Sequence, residues 1–368
     1  MHIFPLFFKR ERVAQKAMLF FSLLSIVAFL AACGSSTSAA SGSASASSST
    51  TCDKSTGFTL YSAQGYDSDA AKAFQQQTGI TTKLVDDSTG NLLAKISAEG
   101  NNAQWDAVWF DGNVTMQTLD DQGQLLKWSS PNIGNYTSLG ASVVPTDHAY
   151  YPTGITAAGV IVYNTNHIPS AGLPKDWKDL LNPAYKNLVA ANDPAFSGPS
   201  YPFIAGVSQA LGGEDQGKAF FTGLKANGLK IFQTNDPTLN SVETGAREFA
   251  IIQDSAYYGA KQAGQPLGVI YPTSGVAALP SEIGIAAHGK HNACAEQFVN
   301  WLLSSAGQTV MTHHDPTDGD TYFIDIINGV TPVVSRQTTG INFVTLDVQK
   351  WAGVEAEYKQ WFHDNIVQ

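Results

Sequence analysis

The chain has 368 residues, of which 43% are hydrophobic and 14% are charged. This composition excludes an intrinsically disordered protein, and the length favours two lobes over one small domain. The 31 acidic and 21 basic residues give a net charge of −10 at pH 7, and the sequence has no basic patch, which excludes nucleic acid as a partner.

Residues 1–33 are predicted to be a lipoprotein signal peptide. Four basic residues between positions 9 and 16 precede the apolar run AMLFFSLLSIVAFLAA, which is too short to span a membrane comfortably. The run ends in LAAC, which is typical of a bacterial lipobox, so Cys33 is expected to be diacylated and to become the mature N-terminus. A plain secretory signal with a chance cysteine is the alternative.

Residues 34–56 are rich in serine and have no apolar periodicity, so they are predicted to be a flexible tether. A lipidated cysteine followed by a tether and a folded part is typical of an exported protein that is anchored to a membrane. The expected location is the periplasm or the cell surface.

From residue 57 onward, short apolar strands alternate with helices. The strands FTLYSA, ITTKLV and WDAVWF each precede a helical pattern. After an irregular stretch at 133–157, the alternation resumes with GVIVYN, LVAAN, KIFQT and EFAIIQ. Alternation of this kind predicts an α/β fold with mostly parallel strands and helices on both faces, arranged in two similar halves.

Small polar residues follow five of these strands, in the segments DDSTG, FDGN, DPAFSG, TNDP and QDSA. Such residues cap helix N-termini, whose free N–H groups suit an anion. Each segment alone is explained by an ordinary cap, but five of them in two lobes favour a ligand cleft at the carboxyl ends of the strands. The candidate ligand-binding residues in these segments are Ser88, Thr89, Gly90, Asp111, Ser197, Gly198, Asn235, Asp254 and Ser255.

Catalytic motifs are missing from the sequence. It has no G-x-S-x-G, H-E-x-x-H, P-loop or G-x-G-x-x-G pattern, and no histidine falls in the five segments, so the chain is predicted not to be an enzyme. The most polar cluster, HHDPTDGD at 313–320, would suit a divalent metal. It lacks the EF-hand pattern, however, and is interpreted as a solvated turn.

Two cysteines, Cys52 and Cys294, remain once Cys33 is assigned to the lipid. In an oxidising, exported compartment they form either a disulfide or a pair of unrelated thiols.

Several segments, in their order along the chain, resemble ABC-importer substrate-binding proteins of the ferric-iron and phosphonate branch. They are LYSAQGYDSDAAKAFQQQTGI, STGNLLAKISAEG, WDAVWFDGN, VIVYN, DWKDLLNPAYKN, DPAFSGPSY and LPSEIGIA, and the resemblance covers nearly all of 57–335. It implies a two-lobed periplasmic-binding-protein type II fold with a central cleft. Lobe 1 would comprise 57–145 and 275–368, and lobe 2 would comprise 146–274. It also implies a monomer without a cofactor, which closes on its ligand and delivers it to a membrane permease.

Carried over by position, the resemblance places Ser197 and Gly198 at an anion-binding helix start and Asn235 at a second anion contact. It places Asp111 where ferric binders have a ligating carboxylate. Two departures are evident, because the chain has no histidine directly after the first strand and no arginine before VIVYN.

The adjacent Tyr257 and Tyr258 raise the question of ferric iron. In ferric binders of the family, a tyrosine pair follows the strand and two small polar residues, whereas here the pair comes about two positions later, in the first turn of a helix. For ferric iron with an anion, Asp111, Asp254 and the two phenolates would supply hard oxygen ligands.

The rival ligand is a small organic anion such as a phosphonate. In that case Tyr66, Trp109 or Tyr257 would stack on the ligand or donate a hydrogen bond to it. With either ligand, the sequence predicts a lipid-anchored substrate-binding protein of an ABC importer. A lipid-anchored periplasmic hydrolase is the alternative function.

Overall fold

A computed structural model describes residues 51–169, 171–331 and 335–368. The signal peptide, Cys33 and most of the serine-rich tether lie outside the described residues. Within those three ranges, no helix has the length and apolar character that a membrane crossing needs.

The described residues form strands and helices in alternation. The strands are β1 (Phe58–Ser62), β2 (Thr82–Asp86), β3 (Ala107–Asp111), β4 (Tyr150–Ala157), β5 (Val160–Asn164), β6 (Val189–Asn192), β7 (Lys230–Phe232), β8 (Phe249–Ile252), β9 (Leu267–Ile270), β10 (Val276–Ile285) and β11 (Phe343–Val344). The helices are α1 (Asp67–Thr78), α2 (Thr89–Glu99), α3 (Asn113–Asp121), α4 (Ser138–Ala141), α5 (Ser200–Leu211), α6 (Glu214–Ala226), α7 (Asn235–Glu243), α8 (Asp254–Gln262), α9 (Asn292–Leu302), α10 (Ser305–Thr312), α11 (Val348–Gly353) and α12 (Glu355–Phe362).

Local sequence signals set the ends of the first helices. Helix α1 ends at Gly79, whose left-handed backbone (φ 77°) lets its N–H donate to the carbonyl oxygen of Gln75. Helix α2 begins after Ser88, whose hydroxyl accepts a hydrogen bond from the backbone N–H of Asn91. Helix α1 buries Ala70 and Phe74 against the first sheet, as its apolar spacing predicts.

The first sheet has the strand order β11-β10-β3-β1-β2, and β4 pairs with β10. Strand β1 runs parallel to β2 and β3, with Leu60 opposite both Leu84 and Ala107. Strand β10 runs antiparallel to β3 and β4. The prediction of parallel strands therefore holds for β1, β2 and β3, and the long β10 departs from it.

The second sheet has the order β7-β6-β8-β5-β9. Strand β6 runs parallel to β7 and β8, and β5 runs antiparallel to β8 and β9. Only Ala158 and Gly159 separate β4, in the first sheet, from β5, in the second. Strands β9 and β10 make the return connection, so the two sheets are joined by crossover strands.

Strand β4 lies in the stretch that the sequence analysis describes as irregular. The segment YYPTGITA contains Pro152 and Gly154, both of which are rare inside strands. The proline lies opposite Glu282, where the register between β4 and β10 shifts, so the sheet accommodates it at a bulge.

The C-terminal helices pack on the second sheet's core. Trp351 and Tyr358 are fully buried there. The backbone carbonyl of Trp351 accepts a hydrogen bond from the Tyr201 hydroxyl at 2.7 Å, and the Tyr358 hydroxyl lies 2.8 Å from Ser208 Oγ. This amphipathic segment buries its aromatic face against α5 and α6, and its Glu355 accepts hydrogen bonds from Thr115 and Thr118 of α3. It therefore contacts both halves, and the assignment of 275–368 to lobe 1 stays a prediction.

Cys52 and Cys294 are joined by a disulfide bond in the structure. It ties the segment before β1 to helix α9, across 242 positions of the chain.

Candidate ligand-binding cleft

A cavity of about 500 Å³ lies between the two sheets. One wall follows the ends of β1, β2 and β3 together with the loop at 318–320, and the other follows β6, β7 and β8. Residues of the first wall are Ala63, Gln64, Gly65, Asp67, Ser68, Asp86, Asp87, Ser88, Thr89, Asp111, Asp318 and Asp320. Residues of the second wall are Phe196, Ser197, Gly198, Pro199, Thr234, Asn235, Asp236 and Gln253.

The position of this cavity follows from strand direction. In each sheet the parallel strands end at a common edge, and the polar segments after them begin the next helices. Six residues from the sequence prediction line the cavity, namely Ser88, Thr89, Asp111, Ser197, Gly198 and Asn235.

Asp111 is held at the centre of the first wall. Its Oδ1 accepts hydrogen bonds from Ser281 Oγ at 2.6 Å and from Gln64 Nε2 at 3.1 Å, and the side chain is buried. This burial raises the pKa of Asp111, although the two hydrogen bonds oppose the shift. Ser281 lies in crossover strand β10, so a connection between the sheets positions this carboxyl group.

Tyr66 lies behind this group and does not line the cavity. Its hydroxyl donates to Gln64 Oε1 at 2.9 Å, and its ring, only 1% exposed, packs 5.1 Å from the ring of Trp109. Both aromatic rings are therefore part of the core, and neither is placed for the stacking role that the sequence analysis considered.

Two further carboxyl groups of the first wall have altered acidity. Asp320 Oδ2 accepts from the backbone N–H of Gly65 at 2.5 Å, and burial together with the nearby charges of Asp111 and Asp318 raises the pKa of Asp320 to about 8. Burial likewise raises the pKa of Asp67 to about 6. At neutral pH without a ligand, Asp320 thus holds its proton most of the time.

The polar cluster HHDPTDGD forms part of this wall. Its His314 bridges two carboxylates, with Nδ1 2.8 Å from Asp69 Oδ2 and Nε2 3.3 Å from Asp318 Oδ2. Burial alone would lower the pKa of His314, but these two partners outweigh it and raise the pKa. The cluster forms a turn in which His313, Asp315 and Thr317 are exposed, as interpreted from the sequence, and in addition its Asp318 and Asp320 line the cleft.

On the second wall, Asn192 connects two of the predicted residues. Its Nδ2 donates to Ser197 Oγ at 3.1 Å and to Asn235 Oδ1 at 2.7 Å, while its Oδ1 accepts from Thr238 Oγ1 at 2.6 Å. The starts of α5 and α7 are thereby fixed relative to each other.

The two walls touch at the N-terminus of α2. A Cβ atom on Gly90 would lie 1.9 Å from the carbonyl oxygen of Ala195, and one on Gly198 would lie 2.6 Å from Thr89 Oγ1. A side chain at Gly90 would meet backbone and would move the walls apart, whereas one at Gly198 would require the Thr89 side chain to shift.

The remaining predicted residues lie outside the cavity. Asp254 is fully buried and accepts from the backbone N–H of Ala157 at 3.0 Å, the Tyr271 hydroxyl at 2.9 Å and Arg336 Nη2 at 2.6 Å. Ser255 is buried beside it, in the first turn of α8. Both residues therefore belong to the packing at the start of α8, and neither lines the cleft.

Tyr257 and Tyr258 follow in α8 and also do not line the cavity. The Tyr258 hydroxyl is 3.1 Å from that of Tyr271 and accepts from the backbone N–H of Gln337 at 2.9 Å, and its ring stacks on Tyr322. Because β8 ends at Ile252, it is Gln253 that faces the cleft, and the helix carries both tyrosines past it. The structure does not bring the tyrosine pair and Asp111 into one site.

No group of three or more His, Cys, Asp or Glu side chains that could hold a metal ion occurs within 51–169, 171–331 and 335–368. The acidic lining of the cleft is nevertheless pronounced. Counting described residues only, the cavity is lined by seven aspartates and by no lysine, arginine or histidine.

Fourteen of the twenty lining residues were not among the predicted site residues. Six of them lie in polar segments that the sequence analysis placed at the cleft while naming other residues there, namely Asp86, Asp87, Phe196, Thr234, Asp236 and Gln253. Five more follow β1, namely Ala63, Gln64, Gly65, Asp67 and Ser68, so the rule that ligands bind at carboxyl ends of strands would have found them if it had been extended to this strand. Asp318 and Asp320 carry no such signal, because the chain returns to the cleft there without a preceding strand.

The chain matches known proteins over most of its length. Residues 69–316 match the family model described as bacterial extracellular solute-binding protein. A putative 2-aminoethylphosphonate-binding periplasmic protein of Salmonella paratyphi A is 22% identical over 68% of this chain and 75% of its own length. The Fe(3+)-binding periplasmic protein of Serratia marcescens is 25% identical over 69% of this chain and 76% of its own length.

Solved structures show the same fold. The periplasmic binding protein AfuA from Actinobacillus pleuropneumoniae, with exogenous fructose-6-phosphate bound, superposes with a TM-score of 0.75 at 22% identity, over 84% of this chain and 98% of that one. Iron-bound HitA from Pseudomonas aeruginosa gives a TM-score of 0.69 at 22% identity, over 82% and 98% of the two chains. The predicted type II fold is confirmed, as is the prediction of a binding protein rather than an enzyme. The chain belongs to the bacterial extracellular solute-binding protein family.

Proposed function

We propose that this protein is the lipid-anchored solute-binding component of an ABC importer, which captures a small molecule between its two sheets and presents it to a membrane permease. The observation that carries the proposal is the cavity itself. It is bounded by two walls that belong to different sheets and that meet at Gly90 and Gly198.

The crossover strands supply a physical route for opening and closing. Rotation about the short connection at Ala158 and Gly159 would separate the walls and expose the cavity to solvent. A ligand that contacts both walls favours the closed form by its extra contacts, and the permease would recognise that form.

The names of relatives suggest two candidate ligands. Ferric iron with an anion and a phosphonate-like organic anion both follow from the resemblance, and the seven aspartates favour a ligand that contributes positive charge. A cavity of about 500 Å³ lies in the range of roughly 300–1,000 Å³ that is usual for small-molecule sites.

The first test is mass spectrometry of the solute that stays bound through purification. The second is small-angle scattering of the protein with and without that solute. We expect an unmodified small molecule and a compaction when it is added back. A particle of unchanged dimensions at saturating solute would contradict closure. Turnover of an ester or phosphate that a single substitution abolishes would favour the hydrolase instead.

Anchoring requires a separate experiment, since Cys33 is outside the described residues. We expect the full-length protein to partition with membranes and the Cys33→Ser variant to be released. Equal partitioning of both would contradict a lipid at this cysteine.

A further inference from the structure

The charged groups of the cleft are all acidic. Seven of the lining side chains are aspartates, and the lining has no basic side chain among the described residues. Hydroxyl and amide donors are also present, for example at Ser88, Thr89 and Asn235, but none of them carries a positive charge. A ligand that brings positive charge is therefore favoured.

Asp67 supplies the most specific sign that a positive charge belongs here. It is 2% exposed and lines the cavity, yet nothing in the described part of the chain hydrogen-bonds to its Oδ2. A buried carboxylate oxygen without a partner is costly, and a cation in the adjoining cavity would offset that cost through its charge.

Acidic groups stand on both walls. Asp67 and Asp111 belong to the first wall, and Asp236, in the first turn of α7, belongs to the second. A ligand with positive groups at two separated points would contact both walls at once. It would thus favour the closed form more than a single compact charge does.

Size and geometry separate this ligand from a bare metal ion. The cavity is far larger than one ion, and the described residues hold no cluster of three acidic, histidine or cysteine groups suited to a metal. A free organic anion is disfavoured as well, because it would bring more acceptors and a like charge to a wall that has no basic side chain among the described residues.

We propose that the cleft binds an organic cation that carries two or more protonated amine or amidine groups, with Asp67, Asp111 and Asp320 supplying the negative charge that attracts it. This proposal rests on the proposed solute-binding function and specifies the chemical class of the solute.

Calorimetry and thermal shift of the full-length protein test the class with three kinds of probe. Putrescine and spermidine are the cations, ethylphosphonate and inorganic phosphate are the anions, and ferric citrate is the metal complex. We expect a cation to raise the melting temperature and to bind, and the anions and ferric citrate to leave the protein unchanged.

Two variants locate the interaction when binding is measured at about pH 8.5, above the pKa of about 8 of Asp320. Asp67→Asn and Asp320→Asn each keep the size of the side chain and remove its charge, so each should weaken cation binding roughly tenfold or more, which corresponds to about 1.4 kcal/mol. Asp215→Asn is the matched control, since Asp215 is exposed in the first turn of α6 and lies outside the cleft. A single cooperative unfolding transition of each free variant would show that it folds.

The outcomes separate the ligand class from the function. Binding of phosphate, ethylphosphonate or ferric citrate in place of the cations overturns the organic cation and leaves the solute-binding function standing. If no probe binds, the solute retained through purification tests the ligand class by its charge. A neutral, anionic or metal-only solute overturns the proposal of an organic cation. A protein that binds no probe and retains no solute overturns both proposals together.

Discussion

The backbone N–H of Gly90, in the first turn of α2, donates a hydrogen bond of 3.2 Å to the carbonyl oxygen of Phe196, on the opposite wall of the cleft. The absence of a side chain at Gly90 is what allows this approach. Gly90→Ala should therefore hinder closure and weaken binding of spermidine roughly tenfold or more. Calorimetry measures the affinity, and scattering measures the compaction.

The free Gly90→Ala protein should still fold, because the added Cβ meets Ala195 only where the two walls touch. Gly353→Ala is the control, since Gly353 lies in α11 with nothing within 4 Å of an added Cβ. Equal affinity of the Gly90 and Gly353 variants would show that this contact is not needed for closure.

The stability of the free protein should fall as pH rises from about 4 to about 8. Asp320 has a folded-state pKa of about 8 against an ordinary value of 3.8, so the native state binds more protons than the unfolded state across this range. Among the charged neighbours, Asp111 from β3 and Asp318 from the same loop raise the pKa of Asp320, and His314 lowers it. Chemical denaturation at half-unit pH steps measures the slope, and Asp320→Asn should reduce it.

Cation binding should show the opposite dependence on pH. A cation prefers the ionised carboxylate, so affinity for spermidine should rise from pH 6 towards pH 8 as Asp320 loses its proton. An affinity that is flat over this interval would mean that Asp320 does not contact the ligand.

Removal of Arg336 should destabilise the protein strongly. Its side chain is 3% exposed and pairs with Asp254, which is fully buried, so Arg336→Gln would leave an uncompensated buried charge at a cost of about 3–5 kcal/mol. Lys218→Gln removes an i,i+4 pair with Glu214 and an ammonium that lies over the rings of Tyr358 and Trp361, so it should lower the free energy of unfolding by about 1 kcal/mol, which is less than the loss at Arg336. Urea denaturation of both variants makes the comparison, and similar losses would contradict the buried pair.

Reduction of the disulfide should also lower stability. The bond between Cys52 and Cys294 closes a very long loop, so the chain-entropy model gives a loss of roughly 4–5 kcal/mol as an upper value. Mass spectrometry of non-reduced peptides identifies the bond, and denaturation with and without reductant measures the loss. Two free thiols in the oxidised protein would contradict the pairing.

The sequence predicted most strands and helices near their observed positions because apolar runs and helix caps are local signals. Strand β4 was not recognised, since Pro152 and Gly154 interrupt its pattern and only pairing with β10 makes it a strand. The cleft was predicted at the strand ends, and Asp111, Ser197 and Asn235 line it. Its acidic character was not predicted, because Asp318 and Asp320 come from a distant loop that only the tertiary fold brings there.

The position of the tyrosines also could not be predicted from local sequence. Adjacent phenols in the sequence suggested a metal site, but side-chain direction in a helix depends on where the helix begins. Since α8 begins at Asp254, Tyr258 packs on Tyr322 and contacts the backbone of Gln337. The position of the pair relative to the strand end, about two residues later than in ferric binders, thus decides between a cleft and a packing contact.

The disulfide also has a mechanical consequence. Cys52 lies near the end of the serine-rich tether, and its bond to Cys294 adds a second attachment to helix α9, which packs on the first sheet. A pull from a lipid at Cys33 would therefore be shared between α9 and the short segment that leads to β1. Both belong to the half with the first sheet, so that half would be held near the membrane while the half with the second sheet moves relative to it.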